Sequence, residues 1–304
     1  MPELRVVDCG RVSALRSQTL WHALAHGVAA GAPPTLSFMR PSQPYVGVGY
    51  HRRLDEVDLA ACAAAGLPVF RRMVGGGVVY LDEHQQFFQI ILPVGAVSRS
   101  REQALRTLLA PAVAAFRAVG VPAELDDDGE IVVGEAKICG HGAAQIDDAV
   151  VVVGNLIERF DHTAAAAVLA VPEDVRAEVV RLMERFVSPT PVDAAAFKAA
   201  AVDAYAEALG LEPVRGAMSA AERGRLVELD HRFRSPEWLE GPARPEPQCR
   251  QVKVRAGVYV AWIELEGSRA MATVVRGRIE RMEMSDPGLD GALTAALSRA
   301  RLVG

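Results

Sequence analysis

The stretch Arg71-Arg72-Met73-Val74-Gly75-Gly76-Gly77 constrains the fold more than any other in this chain. Its three consecutive glycines stand between β-like runs at 69–73 and 78–81, and an apolar run at 87–92 follows a polar turn. Glycine loses extra backbone entropy when ordered and packs nothing, so a triple glycine is poor strand material. Without a Cβ, however, the backbone can approach a ligand closely, and its N–H groups can form a concavity that holds an anion. The two preceding arginines supply forked, permanently charged donors for phosphate or carboxylate. Taken alone, the same pattern also reads as a surface hairpin with solvated arginines. It lacks both the GK[ST] ending of a P-loop and the GxGxxG spacing of a dinucleotide turn.

At 304 residues the chain is about twice the size of a typical domain, which predicts two domains or one large domain with an appendage. With 50% hydrophobic and 23% charged residues, it is neither a disordered nor a fibrous sequence. Lysine and arginine number 33 against 38 acidic residues, a net charge of -5 with no long basic block, which argues against a nucleic-acid partner. The first residues, Met1-Pro-Glu-Leu-Arg, carry charge where a secretory signal has an apolar core. No run reaches the roughly 18 apolar residues of a membrane span, so the expectation is a cytoplasmic protein without a membrane partner. Cys9, Cys62, Cys139 and Cys249 are widely separated and show no CxxC or Cys/His ligand spacing. They read as free thiols, Cys9 and Cys62 as small core residues.

Along the chain, Val6-Val7 predicts a first strand and Ser13 caps a helix carrying Leu20, Leu24 and Val28. Strand-like runs at 35–39 and 45–48 precede an alanine-rich helix over 55–65. A capping box at Ser100 and Gln103 opens a helix that Pro111 is placed to kink. Strands are predicted over 131–133, 137–146 and 149–157, with Asp147-Asp148 as the hairpin turn. Helices follow over 161–170, 172–186, 193–209 and 219–232. The proline-rich segment 241–248 reads as a linker, and strands over 252–254, 258–265 and 271–275 then lead to a closing helix over 289–300.

A second cluster is Gly134-Glu-Ala-Lys137-Ile-Cys139-Gly140-His141-Gly142. A lysine on a β-like run is bland by itself, but beside a glycine-rich anion site its ammonium can neutralise a phosphate during transfer. The run Arg71-Arg72-x-x-Gly-Gly-Gly77-x-Val79-Tyr80-x-Asp82, followed by Lys137-Ile-x-Gly140, resembles the signature of lipoate-protein ligases in the biotin/lipoate ligase superfamily. Pro44 to Gly49, Val153-Gly154-Asn155-Leu156 and Phe233-Arg-Ser-Pro-Glu-Trp238 also sit where that family has comparable pieces, so the resemblance covers roughly residues 15 to 240.

The resemblance implies an α+β fold of mixed or antiparallel sheets with flanking helices. It divides the chain into a catalytic domain over 1–240, a linker over 241–248 and a small α+β accessory domain over 249–304. It implies that lipoate or octanoate is activated by ATP as an acyl-adenylate, then transferred to a lysine of a lipoyl carrier domain of the 2-oxoacid dehydrogenase E2 or glycine cleavage H protein type. A monomer is expected. Lys137 is the implied catalytic residue. Arg71, Arg72, Gly75, Gly76, Gly77, Val78, Tyr80, Asp82, Gly140, Gly154 and Asn155 are the implied adenylate and substrate contacts. Asp82, or the acidic run Asp126-Asp127-Asp128, is the implied ligand of Mg2+.

The chain departs from the family pattern in four places. Val74 stands where many members have serine, and Leu81 where many have histidine. Asp128-Gly129-Glu130 aligns only loosely with the Asn-Asp pair upstream of the lysine, and Val153-Gly154 replaces a His-Gly. Octanoyltransferases share the fold but use a cysteine thioester without ATP, which draws attention to Cys139 and His141. The positions where those enzymes place the nucleophile carry no cysteine: one reads Val150, and none occurs over 123–131. A non-catalytic carrier-binding protein is the other alternative. Biotin ligase is weaker, because the GRGRxGR-like loop is absent.

Overall fold

The computed structural model describes residues 2–98, 100–247, 249–265, 267–300 and 302. Gln248, the last residue of the expected linker, lies outside the described residues, as do the expected outer domain limits Met1 and Gly304.

The chain begins with β1 (Glu3–Val12), α1 (Ala14–Ala29), β2 (Thr35–Pro41), β3 (Tyr45–Val48), α2 (Leu59–Ala64), β4 (Val69–Arg71), β5 (Val78–Leu81) and β6 (Gln85–Pro93). It continues through α3 (Arg101–Ala118), β7 (Glu124–Leu125), β8 (Ile131–Val133), β9 (Ala136–Cys139), β10 (His141–Ile146) and β11 (Ala149–Ile157). Next come α4 (His162–Ala167), α5 (Glu173–Phe186), α6 (Ala194–Leu209), β12 (Glu212–Arg215), α7 (Ala220–Arg234) and α8 (Pro236–Glu240). The last elements are β13 (Arg250–Arg255), β14 (Val258–Leu265), β15 (Ser268–Val275), β16 (Arg278–Met284) and α9 (Asp290–Arg299).

The main sheet runs β10-β11-β6-β2-β1-β12, parallel where β1 meets β2 and β12 and antiparallel elsewhere. Successive strand side chains point to opposite faces, and β6 shows it directly. Phe88 joins Phe116, Phe197 and Tyr205 beneath α3 and α6, whereas Phe87 joins Trp21, Leu24 and Phe233 beneath α1 and α7. Burying an aromatic or leucine side chain contributes about 1.5–3 kcal/mol, so these two layers hold the sheet in the middle of the molecule. The helices start as their caps dictate: Ser13 accepts from Arg16 N, and Asp193 accepts from Ala195 N and Ala196 N. Pro111 sits inside a helix that is continuous from Arg101 to Ala118.

Two small three-stranded sheets, β4-β3-β5 and β7-β8-β9, flank the main sheet, and β13 to β16 form a separate antiparallel meander. On β14, Val260 and Trp262 face α5 with Val179 and Leu182, while Ala261 and Ile263 face α9 with Leu293 and Leu297. The molecule is thus α+β with mixed sheets and flanking helices.

Three local expectations change. The strand predicted over 137–146 is two strands in different sheets, β9 and β10, separated at Gly140. The helix predicted from 55 begins later, because Asp58 caps Ala61 N and leaves a single 3-10 turn over Leu54–Glu56. Three strands, β7, β12 and β16, were not foreseen; β12 and β16 are largely exposed and carry no apolar alternation to betray them.

Candidate active site

A cavity of about 380 Å3 opens beside the glycine loop, and β5, β10, the end of β11 and strand β13 contribute to its wall. Trp21, Leu81, Phe87 and Leu105 line it together with Arg72, Glu130, Lys137, His141 and Lys253. A cavity that combines apolar side chains with several charged ones suits an acyl chain with a reactive head group.

The glycine loop is held by close backbone approach. A Cβ on Gly49 would fall 2.1 Å from Gly76 O, and Gly76 itself has φ +99°, the left-handed region that favours glycine. Gly75, Gly77, Val78 and Tyr80 line the cavity with it. Arg72 donates from Nη2 to Gly77 O at 2.8 Å, and its Nε is buried without a partner. Burial lowers the Arg72 pKa to about 10, so a bound anion would relieve a real cost.

Arg71 does not join it. The Arg71 guanidinium is 1% exposed and donates to the carbonyls of Gly49, Tyr50, Arg52, Leu239 and Glu240. It clamps α8 against the loop after β3 and does not line the cavity, contrary to the expected ligand contact. Asp82 is likewise turned away: its carboxylate accepts from His84 N at 3.0 Å and Gln85 Nε2 at 3.4 Å, and burial raises its pKa. Of the other expected magnesium ligands, Asp126 and Asp128 pair with the buried Arg255, and Asp127 is exposed and does not line the cavity. Among the described residues no group of three or more His, Cys, Asp or Glu side chains is placed to hold a metal.

Lys137 lies on β9 with its Nζ 2.7 Å from Glu130 Oε2, and His141 Nε2 stands 3.1 Å from the same oxygen. Glu130 is 2% exposed, and its other oxygen accepts the Ala256 N–H at 2.9 Å. Burial works to raise the Glu130 pKa, but the charge of Lys137 and the contact with His141 outweigh it and hold the carboxyl well below the usual range. Glu130 is therefore an ionised tether for Lys137 rather than a proton acceptor. The joint at Gly140 is fixed from β11, where Asn155 Oδ1 accepts Gly140 N at 2.6 Å and Asn155 Nδ2 donates to Gln85 Oε1 at 2.8 Å. Gly154 packs so tightly that a Cβ there would lie 2.3 Å from Phe88 Cζ.

That joint separates Cys139 from His141. On one continuous strand, residues two apart would share a face, but Cys139 is fully buried in the cluster with Phe88, Phe116 and Tyr205 while His141 lines the cavity. Burial pushes the Cys139 thiol up to about 12, the opposite of what a nucleophile needs. Val74 is buried against Gly142 in the core beneath α1. His22 and His26, four residues apart on α1, serve separate contacts: His22 is buried against Trp21, and His26 pairs with Asp147.

Sequence reasoning missed Glu130 as the partner of Lys137, and Lys253 and Ala256 as contributions from the last sheet. Glu130 carried a faint signal in its loose alignment with a carboxylate position. Lys253 carried none, because the sequence does not say which way the final meander packs.

The pattern of the lipoyl protein ligase A/B catalytic domain family matches residues 14–206. An octanoyltransferase LipM of Moorella thermoacetica is 28% identical over 243 residues, 68% of this chain and 86% of that protein. A lipoate-protein ligase A subunit 1 of Thermoplasma acidophilum is 26% identical over 233 residues, 71% of this chain and 88% of that one. Among solved structures, a bi-partite lipoate protein ligase from Thermoplasma acidophilum superposes with a TM-score of 0.70 at 24% identity, over 81% of this chain and 99% of that one. With the glycine loop, the tethered lysine and this match over most of the chain, the protein belongs to the lipoyl protein ligase A/B catalytic domain family.

Proposed function

We propose that the protein uses ATP to convert lipoate, or octanoate, to an acyl-adenylate and transfers the acyl group to a lysine of a lipoyl carrier domain. The observation that carries this reading is the Lys137–Glu130 pair in a cavity that no cysteine lines among the described residues. A carboxylate is a poor acylating agent. When it attacks the α-phosphorus of ATP, the bond to pyrophosphate breaks, and the negative charge that develops can be neutralised by Lys137 and Arg72, which both line the cavity. In the second step the carrier's neutral lysine amine attacks the acyl carbonyl, AMP leaves, and the amine proton passes to a base. His141, on the cavity wall beside Glu130, fills that role.

The carboxylates expected to hold magnesium do not fit that site, since Asp82 is committed to a turn, Asp126 and Asp128 to Arg255, and none of these nor Asp127 lines the cavity. The reading includes the cytoplasm as compartment, a monomer, an E2 or H protein type of carrier, and the division at 241–248 into catalytic and accessory parts.

Octanoyl transfer from an acyl carrier without ATP is the second reading, favoured by the octanoyltransferase name of the Moorella relative. Intact mass of a lipoyl carrier domain separates the two. Acylation that requires ATP and free acid supports the ligase; acylation from octanoyl carrier without ATP overturns it.

A further inference from the structure

The cavity wall carries uncharged polar groups that the chemistry above does not use, and they lie away from Lys137. On β6, Gln85, Phe87 and Gln89 fall on one face by alternation, and all three line the cavity. Gln85 marks the reacting end, because it holds Asn155, which fixes Gly140 three residues beyond Lys137. Gln89 stands four residues further along the strand, about 13 Å at the usual rise per residue. It lies between Phe87 and Ile91, which both join Trp21 and Leu24 in the cluster beneath α1. An acid whose carboxylate sits at Lys137 and whose chain follows β6 therefore ends near Gln89 and the α1 residues Gln18 and Trp21.

A purely alkyl tail is a poor match to that end. Gln18 is 5% exposed and Gln89 1%, and each keeps one amide atom without a protein partner among the described residues. Gln18 donates from Nε2 to Tyr45 Oη at 2.5 Å, and Ser17 Oγ lies 2.8 Å from the same phenol, so the amide is oriented and Oε1 is left as an acceptor. Gln89 Oε1 accepts from Ser37 Oγ at 2.7 Å, which leaves Nε2 as a donor. Neither atom is sealed inside the protein as the orphaned His22 Nε2 is, and both residues line the cavity. An alkyl tail would cover this acceptor and this donor and satisfy neither, whereas a hydroxyl donates to one and accepts from the other. A site built to bond such a group discriminates against the analogue that lacks it.

We propose that Gln18 and Gln89 select a medium-length carboxylic acid whose far end carries a hydroxyl, or another uncharged group that both donates and accepts hydrogen bonds. The proposal rests on the reading that the cavity takes a carboxylic acid for activation, and it narrows the class of acid. A plain chain such as octanoate still enters, but binds more weakly.

The test is isothermal titration of the full chain with octanoate and with 8-hydroxyoctanoate, for wild type, Gln18→Met and Gln89→Met. Methionine keeps the length of glutamine without its amide. Wild type is expected to bind the hydroxy acid at least tenfold more tightly than octanoate, and either variant should reduce that preference to about threefold or less by weakening the hydroxy acid and not octanoate. Should one variant fail to fold, the other decides. Equal binding of the two acids by wild type, tighter binding of octanoate, or a preference that survives in both variants overturns the proposal and leaves the acid-activating reading standing. Binding of neither acid contradicts both.

Discussion

The backbone N–H of Ala256 donates to Glu130 Oε1 at 2.9 Å. Ala256 sits in the turn between β13 and β14, so the last sheet of the chain holds the carboxylate that in turn holds Lys137. Beside it, Arg255 is 2% exposed and bonds Glu135 O and Asp126 on either side of β8. The environment of the lysine is therefore assembled from segments at the middle and the end of the chain.

Glu130→Gln is expected to leave Lys137 without its counter-charge in a mostly buried setting, a loss of about 3 kcal/mol. Because the folded pKa of Glu130 lies below the ordinary value of 4.5, its contribution is fully present above that pH and is lost as pH falls beneath it. Urea unfolding of wild type and variant should show a gap that is widest near neutrality and narrows at acid pH. A gap independent of pH would contradict the assignment.

Cys139→Ala should retain activity within about threefold and cost roughly 1 kcal/mol for the void left in the core. The wild-type thiol, with its pKa pushed up by burial, should resist iodoacetamide under native conditions at pH 8. Rapid alkylation, or a hydroxylamine-sensitive acyl group on Cys139, would restore the thioester mechanism.

The glycine loop offers a contrast within one segment. A methyl at Gly75 meets nothing within 4 Å, whereas one at Gly49 meets the Gly76 carbonyl. Gly49→Ala should displace the loop and cost about 1–3 kcal/mol in stability, while Gly75→Ala should change stability by about 0.5 kcal/mol or less. Thermal melts of the two variants make the comparison; equal losses would mean that the loop is not held by that approach.

His141→Gln is expected to slow acyl transfer about 10²-fold or more while adenylate formation changes far less, the split that a base for the amine requires. Single-turnover measurements of the two half-reactions decide it. Equal slowing of both would make His141 a support for Glu130 alone.

Much of this architecture was legible in the sequence. Ser13, Asp193 and Gly210 mark helix ends that the structure keeps, and alternation along 149–157 matches β11. Gly140 was read as interior to a strand because periodicity cannot show a change of sheet; Asn155, which fixes the joint, lies on another strand. Arg71 and Arg72 look equivalent in sequence, yet their side chains part: one closes on backbone carbonyls and the other enters the cavity. Lys253 and Ala256 depend on how the final meander docks on α5, a long-range contact that local pattern does not encode.

Carboxylate-dependent pyrophosphate release from ATP, measured with lipoate and with octanoate for wild type and Lys137→Ala, bears most directly on the proposed chemistry. Wild type should release pyrophosphate with at least one of the acids, and Lys137→Ala should lose about 10²–10³-fold of that rate. An unchanged rate in Lys137→Ala, or no release by wild type with either acid, would contradict the ligase assignment.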